Sequence, residues 1–337
     1  MPKTTLFLLV GVHLLIGMAL SGFDLGGILI VLNIQAILLS WFFVGLVVLM
    51  AIRIAIRKYS RPHIVLVRTL NMERQRLFEG AIFFTLLAIT MQAYMLIKVA
   101  IPSLVPYYAD LYFANIDHAI FGTDPWRITH ALISPAMTVW VDRFYLIPCL
   151  IVSTVMTFWV CFSKDAVFRR RAALTIALVW FLGGDWVALV LSSAGPVYVE
   201  HFYGIARFVP LHQALSPDLT AVHVQQYLLD HLGRPSPGTG ISASPSMHNA
   251  TYLMLVTFIY HKYGMGWRLA AATLFEALVF ISSIHLGWHY ASDTIMSIIV
   301  IIPIWRFAGY LAGAKIPLTK GFAFPSPSKP PSLQPQI

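Results

Sequence analysis

The sequence predicts an all-α fold: a polytopic membrane helix bundle of about eight transmembrane helices. Three observations predict it. Of 337 residues, 58% are hydrophobic and 11% charged, and mean hydropathy is +0.75. One soluble core of this length cannot bury that much apolar surface. Eight apolar runs approach the ~20 residues that span a bilayer. Lys and Arg alternate between the connections, as membrane topology requires.

Taken in order, the expected spans are Thr4–Ser21, Gly27–Ile54, Phe78–Ile101, Phe144–Phe162, Ala172–Leu191, Met247–His261, Trp267–Leu286 and His289–Leu311. The first begins after Lys3 and ends in small residues, like a signal peptide. Further spans follow at once, so an uncleaved helix is expected. The sixth is short and is expected to start inside the preceding loop.

Eighteen of the 23 basic residues fall on one side of this arrangement. Arg53, Arg57, Lys58, Arg61, Arg68, Arg74 and Arg76 follow the second span, and Lys164 and Arg169 to Arg171 follow the fourth. The opposite side keeps Lys98, Arg127, Arg143, Arg207 and Arg234. Both termini are therefore expected in the cytoplasm, of a bacterium with the protein in its inner membrane. The net charge of +9 is explained by topology and anionic headgroups, and nucleic acid is not an expected partner. Cys149 and Cys161 are about 18 Å apart along one helix and cannot pair.

The expected organisation is residues 1–76 as two helices with a basic cytoplasmic loop, 77–314 as the membrane domain, and 315–337 as a Pro- and Ser-rich disordered tail. Two long connections face outward. Residues 102–143 read as short interfacial helices. Residues 193–246 hold an amphipathic stretch, Pro217–Leu232, and a Gly- and Pro-rich hinge from Gly233 to Gly240.

Two polar clusters flank one apolar hairpin: Gly240-Ile241-Ser242-Ala243-Ser244-Pro245-Ser246-Met247-His248-Asn249, and Ser282-Ser283-Ile284-His285-Leu286-Gly287-Trp288-His289-Tyr290-Ala291-Ser292-Asp293. A hairpin returns both to one side of the membrane. Two imidazoles and a carboxylate suit phosphoryl transfer with no cofactor and no metal. One imidazole attacks phosphorus while the carboxylate on its other nitrogen fixes the tautomer. His289 and Asp293, four apart, share a face if both are helical. His248 protonates the leaving alkoxide. Hydroxyl and N–H groups at Ser244, Ser246 and Met247 hold phosphate oxygens at a helix start. His285 reads as structural, because Gly287 interrupts its helix. Asp185 and Glu276, ionisable groups inside spans, read as polar contacts within the bundle.

Pro245-Ser246-Met247-His248 with His289-Tyr290-Ala291-Ser292-Asp293 resembles the second and third motifs of the type-2 phosphatidic acid phosphatase superfamily. Their general pattern is Pro-Ser-Gly-His, then Ser-Arg, five residues, His, three residues, Asp. The resemblance covers roughly the last six helices. Met247 replaces Gly, Ser282-Ser283 replaces Ser-Arg, and the Lys- and Arg-containing first motif is missing. These departures are similar to the inositol phosphorylceramide synthase-like branch, as are Ala194-Gly195-Pro196 through Tyr203-Gly204 and Ala114-Asn115-Ile116-Asp117 through Gly122.

The resemblance implies His289 as nucleophile, Asp293 as its orienter and His248 as acid. Arg143 is the expected phosphate clamp among the outward cations Lys98, Arg127, Arg143 and Arg207, with Tyr198 and Tyr203 as hydroxyl donors. It further implies a phospholipid or sphingolipid substrate and a lipid, polyol or water acceptor, leaving phosphatase and phosphotransferase both open. Two readings without phosphoryl chemistry stand beside it. One is a transporter, to which the Gly183-Gly184-Asp185 sequence points. The other is a haem or metal protein built on paired histidines.

Overall fold

The computed structural model describes residues 2–22, 25–236 and 238–314. The expected tail, 315–337, lies outside the described residues, as does Pro237 of the expected hinge. Long helices dominate: α1 Pro2–Ser21, α2 Leu25–Ile56, α3 Pro62–Leu104 and α6 Pro135–Cys161, with the short α4 Asp110–Phe121 and α5 Pro125–Leu132 between the last two. The chain continues through α7 Ala166–Val190, α8 Thr220–Asp230, α9 Met247–Tyr263, α10 Trp267–His285 and α11 Ala291–Leu311. Among the described residues, seven helices are long and apolar enough to cross a membrane. The protein is an integral membrane bundle.

The expected sixth span, α9, has 17 residues, roughly 25 Å of helix against a ~30 Å hydrocarbon core. The residues before it are non-helical, and Thr239, Ile241, Ala243, Ser244 and Ser246 are all buried. Irregular backbone is tolerated at membrane depth only when protein encloses it. At the other extreme, α3 has 43 residues and is roughly 65 Å long. The expected boundary between residues 76 and 77 therefore falls inside one helix, and much of the expected basic loop is helical. Glu79 lies within α3, buried against Arg169 at 2.6 Å.

Helix α6 starts nine residues before the expected Phe144. Ser134 caps it, its hydroxyl accepting from the Met137 N–H at 3.4 Å, and Pro135 occupies the first turn, where no intrahelical N–H is needed. Within α7, Val179–Val187 widens into a π-helix. A Cβ at Gly183 would stand 2.9 Å from Val300 and one at Gly184 2.8 Å from the Tyr94 ring. The glycine pair thus lets α7 approach α3 and α11 closely. Asp185 meets His13 of α1 at 2.6 Å, and both are buried. This is the bundle contact expected of Asp185, and the helix runs on through it unbroken. Cys149 and Cys161 are free and buried.

Candidate functional site

Three buried aspartates fasten the loops at the end of the bundle where α9 and α11 begin. Each grips two consecutive backbone N–H groups. Asp110 accepts from Ala194 at 2.8 Å and Gly195 at 2.7 Å, and also from the hydroxyls of Tyr203 at 2.9 Å and Tyr290 at 3.0 Å. Asp117 accepts from Ala291 at 2.6 Å and Ser292 at 2.9 Å, at the start of α11. Asp142 accepts from Thr220 at 2.9 Å and Ala221 at 2.8 Å, at the start of α8. Helix N-termini favour such charges, and a carboxylate accepts from both N–H groups at once. Burial raises the pKa of Asp110 and Asp117, and their hydrogen bonds pull it back down.

Two glycines let the loops interlock. Gly195 has φ +108° and Gly287 has φ +74°. A Cβ at Gly195 would lie 2.6 Å from the Trp288 carbonyl oxygen, and one at Gly287 only 2.4 Å from Val197. Only glycine accepts both the conformation and the closeness. The Val197 N–H donates to the Gly287 carbonyl at 3.3 Å, and the Ala243 N–H to the Ser193 carbonyl at 2.9 Å. All three polar segments are thereby tied together.

His289 sits in the turn ahead of α11, not on it. Its Nδ1 lies 2.9 Å from the Ala243 carbonyl oxygen and 3.4 Å from Asp293 Oδ2. A carbonyl only accepts, so Nδ1 carries the proton and Nε2 keeps its lone pair. Asp293 stands in the first turn of α11 and accepts from the Tyr290 N–H at 2.9 Å. His289 and Asp293 meet because the turn folds over the helix start, rather than through a shared helical face.

His248, in the first turn of α9, brings its ring centroid to 6.4 Å from that of His289 and 4.7 Å from that of Tyr145. Both imidazoles line a cavity of about 670 Å³. Lys98, Tyr198 and Ser242 share its polar end, and Leu87, Met91, Leu146, Leu150 and Met156 line its apolar length. A cavity of this size takes one lipid-sized or drug-sized molecule.

The structure brings together His248, His289, Asp293 and Tyr198, and places Arg143, Tyr203, Ser244 and Ser246 off the cavity wall. Arg143 does not line the cavity; it is exposed, with its guanidinium 5.4 Å from the Trp140 ring centroid. Asp142 and Tyr145, on the wall of the cavity, take the inward face of α6, and a helix turns about 100° between neighbours. Among the described Lys and Arg residues, Lys98 lines the cavity. Gly240 packs on it so closely that a Cβ there would stand 2.9 Å from Lys98 Cγ. A lone cation four residues after Tyr94, near the end of an apolar helix, is the sequence signal that marks it.

Tyr203 is turned to Asp110, as above, and does not reach the cavity. Ser246 is the N-cap of α9, accepting from the Asn249 N–H at 3.3 Å and Nδ2 at 3.0 Å. Ser244 is fully buried and also off the cavity wall, where Ser242 stands instead. The Tyr198 hydroxyl donates to the Gln225 carbonyl at 3.3 Å; burial raises its pKa and keeps it protonated.

The departures from the family pattern have local accounts. Met247 packs next to Gly184, where a Cβ would lie 3.4 Å from Met247 Cε, in ordinary contact. The Ser283 carbonyl accepts the Trp288 N–H at 2.9 Å and turns the chain toward His289. His285 is structural as expected: Thr138 Oγ1 lies 2.9 Å from Nε2 and Thr129 Oγ1 3.2 Å from Nδ1.

The fold is that of an integral membrane helix bundle, with two imidazoles and a carboxylate at the head of an apolar cavity. Residues 112–307 match the model of the PAP2 superfamily. That is more than half of the chain, and the chain belongs to this superfamily. Membership points to phosphatase-type chemistry on a phosphorylated lipid. No curated protein and no solved structure gave a match.

Proposed function

We propose that this protein is a lipid phosphatase or phosphotransferase that works through a phosphohistidine at His289. The observation that carries the reading is the Nδ1 contact of His289 with the Ala243 carbonyl at 2.9 Å, which leaves Nε2 as a nucleophile next to His248. Nε2 attacks phosphorus, an N–P bond forms, and the P–O bond to the lipid alcohol breaks. His248 gives its proton to the departing alkoxide. Asp293 stabilises the cationic imidazole during attack. Water or an alcohol then attacks phosphorus, gives its proton to His248, and the N–P bond breaks. Lys98 supplies the positive charge for the phosphate oxygens, helped by the N-terminal turn of α9.

The acceptor decides between phosphatase and transferase. The inositol phosphorylceramide synthase-like resemblance favours an alcohol, a lipid or polyol hydroxyl. The segment that carries this resemblance holds Asp117, which fastens Ala291 and Ser292 beside His289. The site faces away from the cytoplasm in this reading, because most basic residues lie toward the other end.

The test uses purified protein and lipids labelled in the phosphate. Wild type transfers label to His289 as an acid-labile, base-stable adduct, and His289→Ala forms none. Full turnover by His289→Ala, or label on another residue, overturns the mechanism. Comparing lipids of a deletion strain with its parent by mass spectrometry reports donor and acceptor together.

A further inference from the structure

Glu276, inside α10, is a buried acid that the chemistry above does not use. Its Oε2 has no hydrogen-bond partner among the described residues, and neither has the Tyr145 hydroxyl of α6. Tyr145 is buried as well. The two stand on facing helices. Phe275, beside Glu276, brings its ring centroid to 5.2 Å from that of Phe144, beside Tyr145. The Glu276 carboxyl acts electrostatically on Tyr145 and on Cys149, one turn further along α6. Tyr252 of α9 has its own acceptor there, the Cys149 carbonyl at 2.7 Å. A buried carboxyl oxygen and a buried hydroxyl each cost free energy when left apart. One hydrogen bond, direct or through a buried water, satisfies both.

The other side of Tyr145 faces the site. Its ring lies 4.7 Å from that of His248, tilted by 31°, and it lines the cavity. His248 must carry a positive charge before it can give a proton. Lys98 and His289 share the cavity wall with it. Asp142, an acid on the same wall, is committed to the Thr220 and Ala221 N–H groups. On α7, Asp185 faces His13 instead. An aromatic face within about 6 Å attracts a cation, and Tyr145 presents one.

We propose that Tyr145 is a positioning residue for the acid: its ring backs the His248 imidazole and stabilises it when protonated, while its hydroxyl is held by the Glu276 carboxyl. The assignment rests on the proposed function for His248 as the acid. Glu276 acts only through Tyr145.

The test measures kcat/KM for two phosphates with the same hydrocarbon tail, one leaving as an alkoxide and one as a nitrophenolate. Only the alkoxide needs a proton from the acid. The alkyl-to-aryl ratio therefore reads the acid, and within each variant it cancels any loss of folded protein. His248→Ala sets the full fall in the ratio, ~10²-fold or more. Tyr145→Leu should lower it about tenfold, and Tyr145→Phe or Glu276→Leu about threefold. Glu276→Gln keeps an acceptor and should stay near wild type. The double variant, Tyr145→Phe with Glu276→Leu, should fall no further than either single one, because both remove the same hydrogen bond. A wild-type ratio in Tyr145→Leu overturns the positioning role. A wild-type ratio in Glu276→Leu, or losses that multiply in the double variant, overturns the part given to Glu276. A raised KM in Tyr145→Phe with the ratio unchanged would put the hydroxyl on the substrate and overturn it too. If His248→Ala itself keeps the ratio, the proposed acid chemistry has failed. Ring-nitrogen NMR of His248 in Tyr145→Leu then decides the Tyr145 assignment: a protonation midpoint lower by about one pH unit upholds it, and an unchanged midpoint overturns it.

Discussion

Asp293 lies 3.4 Å from Nδ1 of His289, yet its shorter bond, 2.9 Å, is with the Tyr290 N–H. The shorter bond to Nδ1 belongs to the Ala243 carbonyl. Two acceptors therefore flank the same ring nitrogen, one neutral and one charged. Orientation of the imidazole does not depend on the acid alone.

Asp293→Asn tests this division. Where a carboxylate is the sole orienter of a catalytic histidine, its amide variant loses ~10⁴ in kcat through the wrong tautomer. Here the Ala243 carbonyl still selects the Nδ1–H form, and a loss of only ~10–10² in kcat is expected. Steady-state turnover of Asp293→Asn beside His289→Ala checks it. Equal losses in the two variants would show that the carbonyl contributes nothing.

Lys98 and Arg143 give opposite expectations. Lys98→Met removes the cation lining the cavity and should cost ~10²-fold in kcat/KM, the usual scale for one lost oxyanion partner. Arg143→Ala removes an exposed cation stacked on Trp140 and should leave kcat/KM within about twofold. Vanadate inhibition should weaken in Lys98→Met and stay unchanged in Arg143→Ala. A large loss in Arg143→Ala would return the clamp to α6.

The Asp117 side chain fastens the start of α11 through two N–H groups. Asp117→Ala leaves both buried donors without that partner and should destabilise the protein by about 2–4 kcal/mol. Thermal unfolding in detergent measures this. Asp117→Asn keeps one acceptor oxygen and should lose less.

Gly287 and Gly204 separate two kinds of glycine. Both have positive φ, +74° and +65°. A Cβ at Gly204 meets nothing within 4 Å, whereas one at Gly287 meets Val197 at 2.4 Å. Gly204→Ala should cost only the left-handed strain, about 1–2 kcal/mol. Gly287→Ala adds a clash in the loop that carries His289, and should abolish turnover and lower the yield of folded protein. Expression, unfolding temperature and activity of the two variants give the comparison.

Apolar runs, basic alternation and paired motifs were enough, read along the chain, to define a membrane bundle with His248, His289 and Asp293 at one end. Hydropathy is a local property, so the apolar spans were legible, although α3 and α6 run on past the stretches it marks. Capping is local too, and Ser246 stands at the helix start expected there, its hydroxyl oxygen accepting from Asn249; the start at Ser134 lay inside the connection expected over residues 102–143, with the span expected only from Phe144. What a cation faces is not local. It depends on how a helix is rotated about its own axis, and neighbours decide that. Arg143 differs from Asp142 by one residue and points elsewhere because α6 packs its Asp142–Tyr145 face against α8 and α9. Lys98 enters the site because Gly240 lets a loop from 142 residues later rest on it. The open lone pair of His289 likewise depends on a carbonyl, Ala243, that every residue type would carry. Only the packed chain brings that carbonyl to the ring.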